Sequence, residues 1–164
     1  MHGKTRKLLT SFHIAVAVSL LGIDVVLVAL GLAGYSADPA TVYPAAELIG
    51  SRVLWPLAVA ALVSGVTLAL LGPYGLLRFW WVTIKLAITL TLTGLLAFVL
   101  LPALAAAAQA TGAGEALTES RRLVLTVGPI ASSLLLLTNI GLAVFKPRWR
   151  LPWPARRSHT EVPA

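Results

Sequence analysis

The stretch from Leu8 to Ala33, LLTSFHIAVAVSLLGIDVVLVALGLA, decides the fold. As a helix it would be about 39 Å long at about 1.5 Å per residue, more than the ~20 apolar residues that cross a bilayer require. A secretory leader has an apolar part of only ~7–15 residues, followed by a small-residue cleavage site. This run is far longer and holds two ionisable side chains, His13 and Asp24. It reads as a retained transmembrane helix.

Three more runs of the same kind follow: Leu48–Leu71, Phe79–Leu101 and Leu123–Phe145. Turn chemistry separates them. Gly34-Tyr35-Ser36-Ala37-Asp38-Pro39 ends the first run, and Gly72-Pro73-Tyr74-Gly75 parts the second from the third. Between Pro102 and Ser120 the Ala-rich start and Gly112-Ala113-Gly114 predict a frayed helix, then a loop. Lys146-Pro147 stops the last run. Composition agrees: of 164 residues, 58% are hydrophobic and 12% charged, against about a quarter charged in a soluble domain. The expected fold is an all-α membrane protein, an antiparallel bundle of four transmembrane helices over residues 1–147, with a basic tail over 148–164.

Charge placement predicts the topology. Nine of the thirteen cations fall on one side: Lys4, Arg6 and Lys7 before the first run, Arg78 in the second loop, and Lys146, Arg148, Arg150, Arg156 and Arg157 after the last. The other side has Arg52, Arg121 and Arg122, together with Asp38, Glu47, Glu115 and Glu119. By the positive-inside rule both termini are cytoplasmic and the protein belongs in the plasma membrane. Trp80, Trp81, Trp149 and Trp153 then anchor the inner interface, and Trp55 and Tyr43 the outer one. The net charge of +7 is read as orientation and contact with anionic lipid through the tail, not as nucleic-acid binding. Ala15/Ser19, Ala61/Gly65 and Gly128/Ser132 are small-x-x-x-small pairs that let helices approach. The remaining Gly and Ala faces allow a symmetric homo-oligomer.

Ionisable groups inside a bilayer are costly and mark function by default. Here they are His13, Asp24, Arg52 and Lys85, joined by the neutral Asn139. His13, Lys85 and Asn139 fall at about 8–10 Å depth on three different runs, all in the cytoplasmic half. Trp81, Lys85 and Thr89 share a helix face. Asp24 follows His13 by three turns and points the same way. Arg52, near the outer end of its helix, is the expected partner for Asp24 as a structural pair.

The inventory excludes several chemistries. There is no cysteine, so disulfides, zinc ribbons, iron–sulfur ligation and thiolate or covalently attached haem are absent. The His–Asp spacing defeats a Ser-His-Asp set, and there are too few nitrogen donors for zinc or for two haems. One b-type haem fits: His13 is the internal donor and hence the iron ligand, Ala17 leaves room, and Lys85, Arg78 or the N-terminal cations meet the propionates.

The residues also carry a resemblance. Leu9-Thr10-Ser11-Phe12-His13 resembles the His-bearing first helix of the copper-resistance protein D superfamily, which includes the membrane-bound haem-containing protoporphyrinogen oxidases. Arg52-Val53-Leu54-Trp55-Pro56 with Gly65, Trp81-Val82-Thr83-Ile84-Lys85-Leu86 and Phe145-Lys146-Pro147 are similar to its later segments. The nearer likeness is to an actinobacterial-type family of integral membrane proteins of unknown function within that superfamily. Over residues 8–147 the resemblance implies a haem-ligand role for His13, an essential-lysine role for Lys85 and a basic position at Arg52. The leading expectation is a membrane protein binding one haem b around His13, Lys85, Asn139 and Arg78. The alternatives are a non-catalytic accessory or lipid-binding protein, and a proton or metal-ion pathway through Asp24 and His13.

Overall fold

The computed structural model describes residues 3–71 and 80–145. The described elements are all helical: α1 Gly3–Ala33, α2 Pro39–Ile49, a π-helical segment Gly50–Leu54, α3 Trp55–Leu71, α4 Trp80–Leu95, a second π segment Leu96–Leu100, α5 Leu101–Gly112 and α6 Glu119–Phe145. They form four helices long and apolar enough to cross a membrane: Lys4–Ala33, Pro39–Leu71, Val82–Gly112 and Glu119–Ala143. The fold is the expected all-α bundle. Alternation places Gly3, Leu71, Trp80 and Phe145 at one end, called here the first end, and the turns at 34–38 and 113–118 at the other, the far end.

The first and last helices start a turn earlier than their apolar runs, at Gly3 and Glu119, and two boundaries differ by more. The second helix starts at Pro39, not Leu48, and the third runs to Gly112, not Leu101. The physical reasons are local. The Asp38 carboxylate accepts from the Ala40 amide at 3.2 Å and from the Thr41 hydroxyl at 2.8 Å. Proline at the first helical position completes an N-terminus. Pro102 does not end the third helix, because it starts a new α turn after a widened one. At 33 residues the second helix is about 50 Å long, longer than the ~30 Å hydrocarbon core. Its extra turns, α2, pack against α5 at the far end.

Both interrupted helices use the same device. The Trp55 amide donates to the Gly50 carbonyl, and the Leu101 amide to the Leu96 carbonyl. Each is a five-residue step placed one residue before a proline, in Val53-Leu54-Trp55-Pro56 and Val99-Leu100-Leu101-Pro102. A proline lacks the N–H and its ring collides with the carbonyl four residues back; a π turn widens the helix there. The first widened turn packs against the start of α5. A methyl at Gly50 would stand 2.8 Å from Leu104 Cδ1.

In the bundle α1 packs mainly on α6 and α3, and α4 touches α3 and α6 more sparsely. Val16, Leu20, Leu27, Leu54, Ala58, Leu96, Leu104 and Leu125 form its core. Tyr43 corrects an expectation. It is 1% exposed, so it is a core residue over Gly34, not an interface anchor. Arg122, in the first turn of α6, reaches back to the end of α1. Its Nη1 donates to the Gly34 carbonyl at 3.1 Å, and its guanidinium lies 5.8 Å from the Tyr35 ring centroid. It thereby satisfies a carbonyl at the end of α1 and ties α6 to the first turn. At the other far-end turn Gly114 has φ +79°. The Glu115 amide donates back to the Ala110 carbonyl at 2.9 Å, a left-handed close of α5.

Candidate functional site

His13 is set into the surface of α3. Its Nδ1 lies 2.8 Å from Ser64 Oγ, and the Ala61 carbonyl is a second polar neighbour of the ring. The Ser64 hydroxyl donates to the Ala60 carbonyl at 2.6 Å. A hydroxyl has one proton, so towards His13 Ser64 accepts. In the neutral imidazole the proton therefore sits on Nδ1, and Nε2 carries the free lone pair. Gly65 makes the close approach of the ring possible: a methyl there would lie 3.1 Å from His13 Cε1.

Lys85 on α4 is near enough that its charge bears on the His13 ring. One turn further along, the Thr89 hydroxyl donates to the Lys85 carbonyl at 2.9 Å. That proton is then spent, so Thr89 accepts from the Asn139 side-chain amide of α6 at 3.0 Å. This orients Asn139: its Nδ2 faces Thr89, and its Oδ1 is left buried without a partner among the described residues. A buried acceptor without a donor is rare in native proteins. His13, Lys85 and Asn139 thus lie in the same half of the bundle, on α1, α4 and α6, with α3 supplying Ser64 and Gly65 beside His13 and Thr89 linking α4 to Asn139. Arg78, the fourth residue expected here, lies outside the described residues, as do the basic tail 148–164 with its lipid contact and the side chains of Trp80 and Trp81.

The pairing of Asp24 with Arg52 is corrected. Asp24 is 2% exposed, and its Oδ2 accepts from the Ser132 hydroxyl at 2.5 Å and the Ser133 hydroxyl at 3.0 Å, both on α6. Arg52 is exposed on the widened turn, and no ion pair joins it to Asp24. The reason lies in packing order: α1 buries this face against α6, where two consecutive serines provide hydroxyls without a second charge to desolvate. Leu20, buried at 9% exposure, stands between the levels of His13 and Asp24. Among the described residues no three His, Cys, Asp or Glu side chains are grouped to hold a metal ion.

Ser64, Thr89, Ser132 and Ser133 were missed as functional residues from sequence. One signal was available. Each is a hydroxyl on a helix face at a depth matching a polar group on another helix, where hydroxyls act as interhelical glue.

Comparison with family models, with curated proteins and with solved structures returned no match to this chain.

Proposed function

We propose that this chain is a small integral membrane protein that binds one haem b in the half of the bundle holding His13, Lys85 and Asn139. The observation that supports the reading is the Ser64 hydroxyl, which by accepting from Nδ1 leaves His13 Nε2 as a bare, oriented donor. Metal-bound histidines characteristically have their other nitrogen held in this way. The donor set fits a single haem: one internal imidazole, a neighbouring ammonium for a propionate, and an amide able to give and accept hydrogen bonds. When bound, haem would supply electron-transfer chemistry, with His13 holding it. The chain's own residues do the rest. Ser64 holds the ring tautomer and angle, Gly65 keeps the ring close to α3, Lys85 balances a carboxylate, and the surrounding helices exclude water. Both termini are placed on the cytoplasmic side of the plasma membrane, on the strength of the basic residues counted above.

The experiment is the absorption spectrum of protein purified in mild detergent after haem supplementation. A Soret band is expected in the parent and its loss in His13→Ala. Ser64→Ala should keep the band but weaken haem affinity about 10–100-fold, the usual worth of an outer-shell partner. No band in the parent, or an unchanged band in His13→Ala, removes the reading.

A second reading has its own support. His13–Ser64, Thr89–Asn139 and Asp24–Ser132 each join two different helices, as they would in a non-catalytic accessory protein whose polar groups only lock the bundle. That reading expects unchanged cellular activity in Lys85→Met.

A further inference from the structure

A lateral groove of about 600 Å³ opens between the first turns of α1 and the length of α3, with Leu9, Phe12, Trp55, Val59, Val63 and Thr67 along it and Ser64 in its wall. That volume is in the range of ligand sites. From Trp55 to Thr67 the groove follows twelve helical steps, about 18 Å, close to the depth of one leaflet of a ~30 Å core. Its length therefore matches one acyl chain running along the bilayer normal.

The groove leads towards a cation. Arg6 is three residues before Leu9 and shares its side of α1. It is exposed, at the end where the groove meets the polar interface. Lys7 is equally exposed and at nearly the same depth, but two residues from Leu9 places it about 160° away around the helix. Lys4, also exposed, is five residues before Leu9, about 140° away around the helix and further out along it, so the charge nearest Leu9 is a guanidinium, the side chain that grips phosphate through two parallel hydrogen bonds.

We propose that this groove is a binding site for one anionic phospholipid, its acyl chain lying between Leu9–Phe12 and α3 and its phosphate on Arg6. The site is distinct from the basic tail, and lipid binding there does not require haem. Through Ser64 the bound chain would touch the residue that holds His13.

The test is native mass spectrometry of the full chain released from detergent with phosphatidylglycerol or phosphatidylcholine of identical acyl chains. One retained phosphatidylglycerol is expected, with phosphatidylcholine, which has the same phosphate but adds a quaternary ammonium that repels the Arg6 guanidinium, held about tenfold more weakly. Arg6→Gln should abolish that preference and Lys7→Gln should leave it intact. Val63→Trp, which fills the groove from an exposed position (Val63 is 59% exposed), should lose the retained lipid altogether. Equal retention of the two lipids, or equal losses in Arg6→Gln and Lys7→Gln, would show only a diffuse attraction of lipid to positive charge and overturn the site. Retention unaffected by Val63→Trp would do the same.

Discussion

Replacing Ser132 and Ser133 together by alanine is expected to lower the stability of the bundle by about 3 kcal/mol or more. Both hydroxyls end on one oxygen of Asp24, and that carboxylate is 2% exposed. Without them the carboxyl would sit in a low-dielectric interior with neither a donor nor a counter-charge, and would be buried unpaired or have to take up a proton. Either single change leaves one donor and should cost about 1–3 kcal/mol. The effect must depend on the carboxylate. In an Asp24→Asn background the same double change should cost markedly less, because a neutral amide is cheaper to leave unpaired. Unfolding midpoints of the four proteins in a graded denaturing-detergent series measure this coupling. Equal losses in both backgrounds would mean that the serines act by packing alone.

The second large effect is expected at Gly31. A methyl there would stand 3.0 Å from the Leu125 carbonyl oxygen and 3.0 Å from Thr126 Cα, both backbone atoms of α6. Pro129, four residues after Leu125, has no N–H to give that carbonyl. The α1–α6 contact therefore brings backbone against backbone, and neither side can yield by rotating a side chain. Gly31→Leu should force the two helices apart at a cost of about 3 kcal/mol, the upper end of overpacking in a core. Gly22→Leu on the same helix is the control. Nothing lies within 4 Å of a Cβ built there, so its midpoint should stay within about 0.5 kcal/mol of the parent. Comparable losses in the two variants would argue against the close α1–α6 approach.

How much of this was legible in the sequence differs from residue to residue. The four apolar runs were visible because the hydrocarbon core imposes a minimum length that few other structures need. Their ends were less so. Asp38-Pro39 carries a complete helix-start signal, yet hydropathy hides it, since α2 continues past the apolar run towards water. Pro102 reads as a stop, whereas a π turn on its N-terminal side absorbs the ring and lets the helix proceed. Depth arithmetic brought His13, Lys85 and Asn139 to one level, because rise per residue is nearly constant. It could not give the neighbour around the bundle axis. Asp24 was paired with Arg52 on depth alone, and the partner is α6, because helix order is set by packing that no single run encodes. Tyr43 misled for a related reason: aromatic belts are a statistical tendency of interfaces, while Gly34 opens a specific core position for this ring.

In the proposed site Ser64 fixes the His13 ring with Nδ1 protonated and Nε2 free to bind iron. The most direct measurement is nitrogen NMR of the protein labelled at histidine, in bilayers, with the His13 signals assigned by difference from His13→Ala. A protonated Nδ1 and a bare Nε2 are expected before haem is added, and loss of the Nε2 signal to the paramagnetic iron afterwards. A ring protonated at Nε2 whose signals are untouched by added haem would contradict that site.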